Sequence, residues 1–142
     1  MDPQGTAGSD RHRPSVMIVD DDAEMRALLR DALERDGFDV REGAGNEVIP
    51  LLEREAPDAI VLDKEMNGVN GLDLLPCIRR RQPDIPVILV TAFGGVEVEA
   101  EALRRGATHY IDKPFRMARL LAMLRTALAP AAAAARSGWG HR

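Results

Sequence analysis

Three continuous apolar runs, Val16 to Val19, Ala59 to Leu62 and Val87 to Val90, constrain the fold of this chain more than any other feature. Each is short, rich in β-branched residues and bounded by polar or proline residues, as strands buried on both faces of a parallel sheet require. Two weaker stretches, Phe38 to Arg41 and His109 to Ile111, mix apolar with polar residues and suit sheet edges. Between and after these lie helical patterns. Met25, Leu28, Leu29, Ala32 and Leu33 fall on one face at i, i+3, i+4, i+7 and i+8, and Gly37 supplies the stop. Val48, Leu51 and Leu52 mark a second helix, and Leu72, Leu75 and Ile78 a third. Val96, Ala100 and Leu103 mark a fourth ending near Gly106, and Met117, Leu120, Leu121, Leu124 and Leu128 a fifth. Pro50 and Pro76 fall inside these patterns, which predicts an early-turn position or a kink at each. Strict alternation of strand and helix selects a doubly wound α/β domain, a five-stranded parallel sheet sandwiched between two helical layers by right-handed crossovers. The weak second and fifth strands fit the edges of the order 2-1-3-4-5.

With 142 residues, 45% apolar and 30% charged, the chain suits one soluble domain, expected over residues 15–129. Flexible tails are expected over 1–14 and 130–142, the latter too short for a separately folded effector. No stretch approaches the ~20 apolar residues of a membrane span, and the polar segment Met1 to Pro14 lacks the hydrophobic part of a secretory signal, so a cytoplasmic location is expected. Cys77 alone makes no disulfide framework and is read as packing. A net charge of −4, with dispersed basic residues, argues against nucleic acid binding by this chain and for a protein partner.

In open α/β sheets the ligand site lies beyond the carboxyl ends of the strands. Here those positions hold Asp20, Asp21 and Asp22, then Asp63, then Thr91 and Ala92, then Lys113 before Pro114. Two carboxylates 4 Å apart repel by roughly 4 kcal/mol at an effective dielectric near 20. One lysine does not offset three carboxylates, so a hard divalent cation is implied, and Mg²⁺ suits a site of one or two carboxylates with room for phosphate oxygens. The first loop is triply anionic where a dinucleotide fold would place glycines, so phosphate enters only alongside metal.

Val19-Asp20-Asp21-Asp22, Asp63 with Met66 and Gly71 after it, Val90-Thr91-Ala92, and Tyr110-Ile111-Asp112-Lys113-Pro114-Phe115 together resemble the receiver domains of two-component response regulators. The resemblance spans about residues 15 to 129, and all four motifs stand in the family's order and spacing. It implies a flavodoxin-like receiver fold. It further implies that Asp63 is the phosphoacceptor, taking a phosphoryl group from a histidine kinase or histidine phosphotransfer protein. Asp21 and Asp63 would bind Mg²⁺ with the backbone carbonyl of Glu65, and Asp20 would stand behind them. Thr91, the amide of Ala92 and Lys113 would contact the phosphoryl oxygens. Thr91 and Tyr110 would act as the switch, altering the surface of the fourth helix, fifth strand and fifth helix that a downstream protein effector reads. Turnover on a separate substrate is not expected, and the oligomeric state stays open between monomer and phosphorylation-dependent dimer.

Two positions depart from the family pattern. Asn67 stands where proline is common, and Glu65 puts a carboxylate two residues past the acceptor. Glu65 is expected either to hinder the water that removes the phosphoryl group or to pair with Lys113 in the resting state. Plainer readings stand beside these. Asp22 suits a helix N-cap, Arg79, Arg80 and Arg81 a solvated helix end, and Tyr110 simple edge packing. His12, His109 and His141 are given no catalytic role, and Trp139 is at most a contact point in the tail. Lys113 draws attention because the chain has only two lysines, the other being Lys64. Two alternatives remain: a receiver-like interaction module that signals without phosphorylation, and a small Mg²⁺-dependent phosphatase of the haloacid-dehalogenase type. Asp20-Asp21-Asp22-Ala23-Glu24 does not match the nucleophile loop of the latter.

Overall fold

Strands β1 (Ser15–Val19), β2 (Asp39–Gly43), β3 (Ala59–Asp63), β4 (Val87–Thr91) and β5 (His109–Asp112) form one parallel sheet in the order β2-β1-β3-β4-β5. The computed structural model describes residues 13–129. The expected tails, with His12, Trp139 and His141, lie outside the described residues apart from Arg13 and Pro14.

The three apolar runs occupy the centre of the sheet and alternate between its faces. Val16, Ile18, Val61, Ile88 and Val90 pack on Leu29 and Leu33 of α1 (Ala23–Arg35) and on Leu120 and Leu124 of α5 (Met117–Ala127). Met17, Val19, Ile60, Leu62, Val87 and Leu89 pack on α2 (Val48–Arg54), α3 (Gly71–Arg81) and α4 (Val96–Arg105). The period-2 alternation of each strand thus feeds two separate cores, which is the doubly wound arrangement. Asp22 caps α1, its side chain accepting from the amides of Glu24 at 3.0 Å and Met25 at 3.4 Å.

The prolines fall as their chemistry demands. Pro50 is the third residue of α2, where no amide is missed. Pro76 lies in the interior of α3 and so leaves the Leu72 carbonyl without its intrahelical donor. Arg105, at the end of α4, fills that vacancy: its Nη1 donates to the Leu72 carbonyl at 3.1 Å and reaches Asp73 Oδ1 at 3.0 Å. Arg105→Met is expected to cost about 1–2 kcal/mol, the penalty for a partly buried carbonyl left bare. In a Pro76→Ala background, where the alanine amide takes that carbonyl, the cost should shrink. Urea unfolding of the four proteins measures both values, and equal costs would refute the assignment.

Three expectations need correction. Leu28, expected on the core face of α1, is 61% exposed, and only Leu29 and Leu33 of that helix are buried. Val96 and Leu103 do not face the core: they are 83% and 47% exposed, and Ala102 is the buried residue of α4. A small residue lets the helix lie close to the sheet, while Glu101 and Arg105, paired at 2.6 Å, turn toward α3. Arg79 is likewise not a solvated helix end. Its guanidinium donates to the carbonyls of Gly106 at 2.8 Å, Gln82 at 3.1 Å and Ile85 at 2.5 Å, tying the end of α3 to the end of α4.

Candidate functional site

The parallel register brings the strand ends to one rim. Asp63 ends β3 opposite Val90, and Thr91 ends β4 opposite Asp112, so Lys113 follows directly beside them. Backbone bonds fix this edge: the Lys64 amide donates to the Val90 carbonyl and the Lys113 amide to the Thr91 carbonyl, both at 2.8 Å. Asp20 and Asp21 follow β1, the inner neighbour of β3.

Asp20, Asp21 and Asp63 each present a carboxylate oxygen within 4.8 Å of the others. Asp20 and Asp63 are buried, whereas Asp21 is exposed at the mouth. Asp63 Oδ1 lies 2.8 Å from Lys113 Nζ, which is also 4.0 Å from Asp20 Oδ2. Apart from that ammonium, no donor reaches the buried Asp63 Oδ1 among the described residues. Burial pushes the Asp63 carboxyl up to about 6, with the charges of Asp20 and Glu65 adding to the rise and Lys113 opposing it. Asp20 is raised too, mainly by burial, against the Asp22 amide that donates to it at 2.8 Å. Burial works against the Lys113 ammonium, but Asp63, Asp20 and Glu65 outweigh it and raise its pKa. A set of hard oxygens that repel one another, three carboxylates answered by a single lysine, is what a small divalent cation would relieve.

The chain after Asp63 forms a structure not foreseen from the sequence, a two-stranded antiparallel hairpin of Glu65–Met66 with Val69–Asn70. Its signal was present in Asn67-Gly68, the dipeptide that most favours tight hairpins. Gly68 sits at φ 73°, open to glycine at no steric cost. The Asn67 amide donates to Asp21 Oδ2 at 2.7 Å, so the residue that replaces the usual proline contributes a backbone donor to the acidic cluster. Gly71 closes the hairpin against the end of β3, and a Cβ there would come within 2.5 Å of the Asp63 carbonyl oxygen.

Glu65 does not pair with Lys113. Its Oε2 accepts a short hydrogen bond from the Thr91 hydroxyl and lies 3.3 Å from Lys64 Nζ, while its Oε1 accepts from the Ala92 amide at 2.9 Å. Partial burial opposes ionisation of Glu65, yet these donors outweigh it and hold the carboxyl below its usual range. Thr91 is fully buried, and its hydroxyl also accepts from the Phe93 amide at 3.0 Å. Tyr110 is half-buried against the α2–α3–α4 core, and its hydroxyl accepts from the Gly95 amide at 3.0 Å and donates to Asp112 Oδ1 at 2.7 Å. His109 lies on the edge strand away from these groups. Asp20, Asp21, Asp63, Glu65, Thr91, Ala92 and Lys113 therefore gather on one rim, but the expected Glu65–Lys113 pair does not form.

The family model described as the response regulator receiver domain matches residues 16–125. The response regulator protein FleR of Pseudomonas aeruginosa is 40% identical over 107 residues, 75% of this chain and 23% of that protein. The response regulator MprA of Mycolicibacterium vanbaalenii is 35% identical over 114 residues, 80% of this chain and 49% of that protein. This chain thus spans about a quarter to a half of the curated relatives it matches. Among solved structures, the receiver domain of NtrX from Brucella abortus is similar at 31% identity and TM-score 0.74, over 80% of this chain and 97% of that one. The beryllofluoride-activated NtrC4 receiver domain dimer is similar at 28% identity and TM-score 0.76, over 80% and 95%.

Proposed function

The chain belongs to the response regulator receiver family, and from that premise we propose that it is a switch loaded by phosphorylation of Asp63. The donor is a phosphohistidine on a histidine kinase or histidine phosphotransfer protein, met in the cytoplasm, and the reader is a downstream protein effector. One observation carries the reading: Asp63 is a buried carboxylate at the end of a central strand, 3% exposed, 2.8 Å from Lys113 and among two further carboxylates.

An Asp63 oxygen attacks phosphorus in line, forming an O–P bond as the N–P bond to the donor imidazole breaks. The protein's part in such a transfer is to position and neutralise, because a loose transition state asks for little covalent help. Asp21 and Asp63, with the Glu65 backbone carbonyl, would hold Mg²⁺, and Asp20 would stand behind them. When bound, the cation supplies neutralisation of the charge shared by acceptor and phosphoryl oxygens. Lys113 is placed to meet one of those oxygens, and the Thr91 hydroxyl and Ala92 amide others. Thr91 and Tyr110 then carry the change outward, since both border the loop between β4 and α4.

Incubation with a panel of phosphorylated histidine kinases and Mg²⁺, followed by intact mass, tests this. The expected result is a gain of one phosphoryl group that the Asp63→Asn protein does not show. A gain of equal size in that variant, or steady hydrolysis of small phosphate esters, would overturn the assignment.

A further inference from the structure

We propose that the Glu65 side chain is an internal occupant of the phosphoryl-oxygen site, engaging the Thr91 hydroxyl and Ala92 amide until a phosphoryl group expels it. The inference rests on the receiver reading above and concerns how that site is regulated. Three observations carry it. The Glu65 carboxylate takes both groups, one oxygen on the Ala92 amide at 2.9 Å and the other on the Thr91 hydroxyl. A hydroxyl and an amide have one proton each to give, so neither donor can serve this carboxylate and a phosphoryl oxygen together. Lys64, which is largely buried, lies 3.3 Å from the Glu65 oxygen that Thr91 also binds, and thereby anchors the carboxylate in place.

A phosphoryl group arriving on Asp63 therefore meets donors already spoken for and a negative charge beside them. Glu65 has somewhere to go, because it lines an open cleft with Met66, Asn67, Gly68 and Asn70, though Asp21 and Asp73 on the same cleft oppose a second carboxylate there and add to the cost of expelling it. The loop leading into α4 is held at both ends in the resting chain, by Glu65 at Ala92 and by the Tyr110 hydroxyl at Gly95. Phosphorylation exchanges one anionic acceptor for another at its first anchor instead of recruiting a free loop. Glu65 thus sets a threshold for loading.

The test compares wild type, Glu65→Ala and Glu65→Gln with Mg²⁺ and beryllofluoride as the phosphoryl mimic. Affinity is read by titration, and the Ala92 amide is followed by ¹⁵N nuclear magnetic resonance. Glu65→Ala should bind the mimic about tenfold more tightly, the factor that one hydrogen bond to a charged group is worth. Glu65→Gln, which keeps a neutral acceptor, should fall between. The Ala92 resonance should move little in wild type when the mimic binds, because one anion replaces another, and move strongly in Glu65→Ala. Equal affinity across the three proteins would overturn this inference alone. So would tighter binding without the difference at Ala92, or a gain that vanishes in high salt, since either marks a diffuse charge effect. No binding by any of them, wild type included, would overturn the receiver reading and this inference with it. Glu65→Gln, nearly isosteric, keeps the comparison decisive if the alanine variant folds poorly.

Discussion

Without divalent cations at neutral pH, the Asp63→Asn protein is expected to melt above the wild type by about 6 °C or more, a gain of about 2 kcal/mol for a domain of this size. The wild-type carboxyl is pushed from 3.8 to about 6 by burial and by its acidic neighbours. An acid whose pKa is higher in the folded state binds its proton more tightly there, so the folded state is favoured below the unfolded pKa. That contribution is lost as pH rises through the folded value. Between about pH 4 and pH 6 the wild type should therefore lose stability, at about 1.4 kcal/mol for each pH unit that separates the two pKa values. The asparagine variant lacks this loss, so the gap should open across that window and close again at acid pH. Mg²⁺ should narrow it as well, because a ligand bound only by the folded wild type raises its stability. Melting curves from pH 4 to pH 8, with and without Mg²⁺, measure all three effects. A variant no more stable than wild type at neutral pH would show that Lys113 already neutralises the buried carboxylate.

Lys113→Met is expected to act in the opposite direction, lowering stability by about 3 kcal/mol in metal-free buffer. Lys113 is the cation against which Asp63 and Asp20 are buried, at 2.8 and 4.0 Å. Removing it leaves two buried carboxylates facing only each other and the neighbouring acids. Part of the cost is escaped by protonation, so the loss should be larger at pH 8 than at pH 5. In an Asp63→Asn background the same substitution should cost less by about 1–3 kcal/mol, the coupling expected of groups in contact. Denaturant unfolding of the four proteins yields that coupling directly. Strict additivity would mean that the 2.8 Å contact contributes nothing. The variant should also accept phosphoryl groups poorly, since a neutral methionine has nothing to offer a phosphoryl oxygen.

How far the sequence discloses this molecule depends on the range of the forces involved. The sheet was legible because burial on both faces admits little besides aliphatic residues, and Val16–Val19, Ala59–Leu62 and Val87–Val90 carry that signature without interruption. The rim was legible for a topological reason: residues that follow parallel strands must come together, however far apart in sequence. What failed was orientation. Val96, Ala100 and Leu103 share a helical face, but periodicity alone does not say which way a helix turns when small and charged residues also pack, as Ala102, Glu101 and Arg105 do. Arg79 misled for a related reason, since a run of three arginines looks solvated until a neighbouring helix offers its carbonyls. Glu65 stands out in the sequence, but its partners are Thr91 and Ala92 and not Lys113. Lys64, adjacent in sequence, is the cation that lies beside Glu65, and the hairpin that begins at Glu65 and turns at Asn67-Gly68 carries its carboxylate to Thr91 and Ala92.

The bond from Arg105 to the carbonyl that Pro76 strands has a mechanical meaning. Helices in most α/β domains slide past one another on interchangeable aliphatic contacts, whereas here a polar strut joins α3 to α4. Any excursion of α4 that stretches the strut draws the Arg105 guanidinium away from the main-chain oxygen that Pro76 cannot serve. Moving α4 relative to α3 therefore costs a hydrogen bond as well as packing.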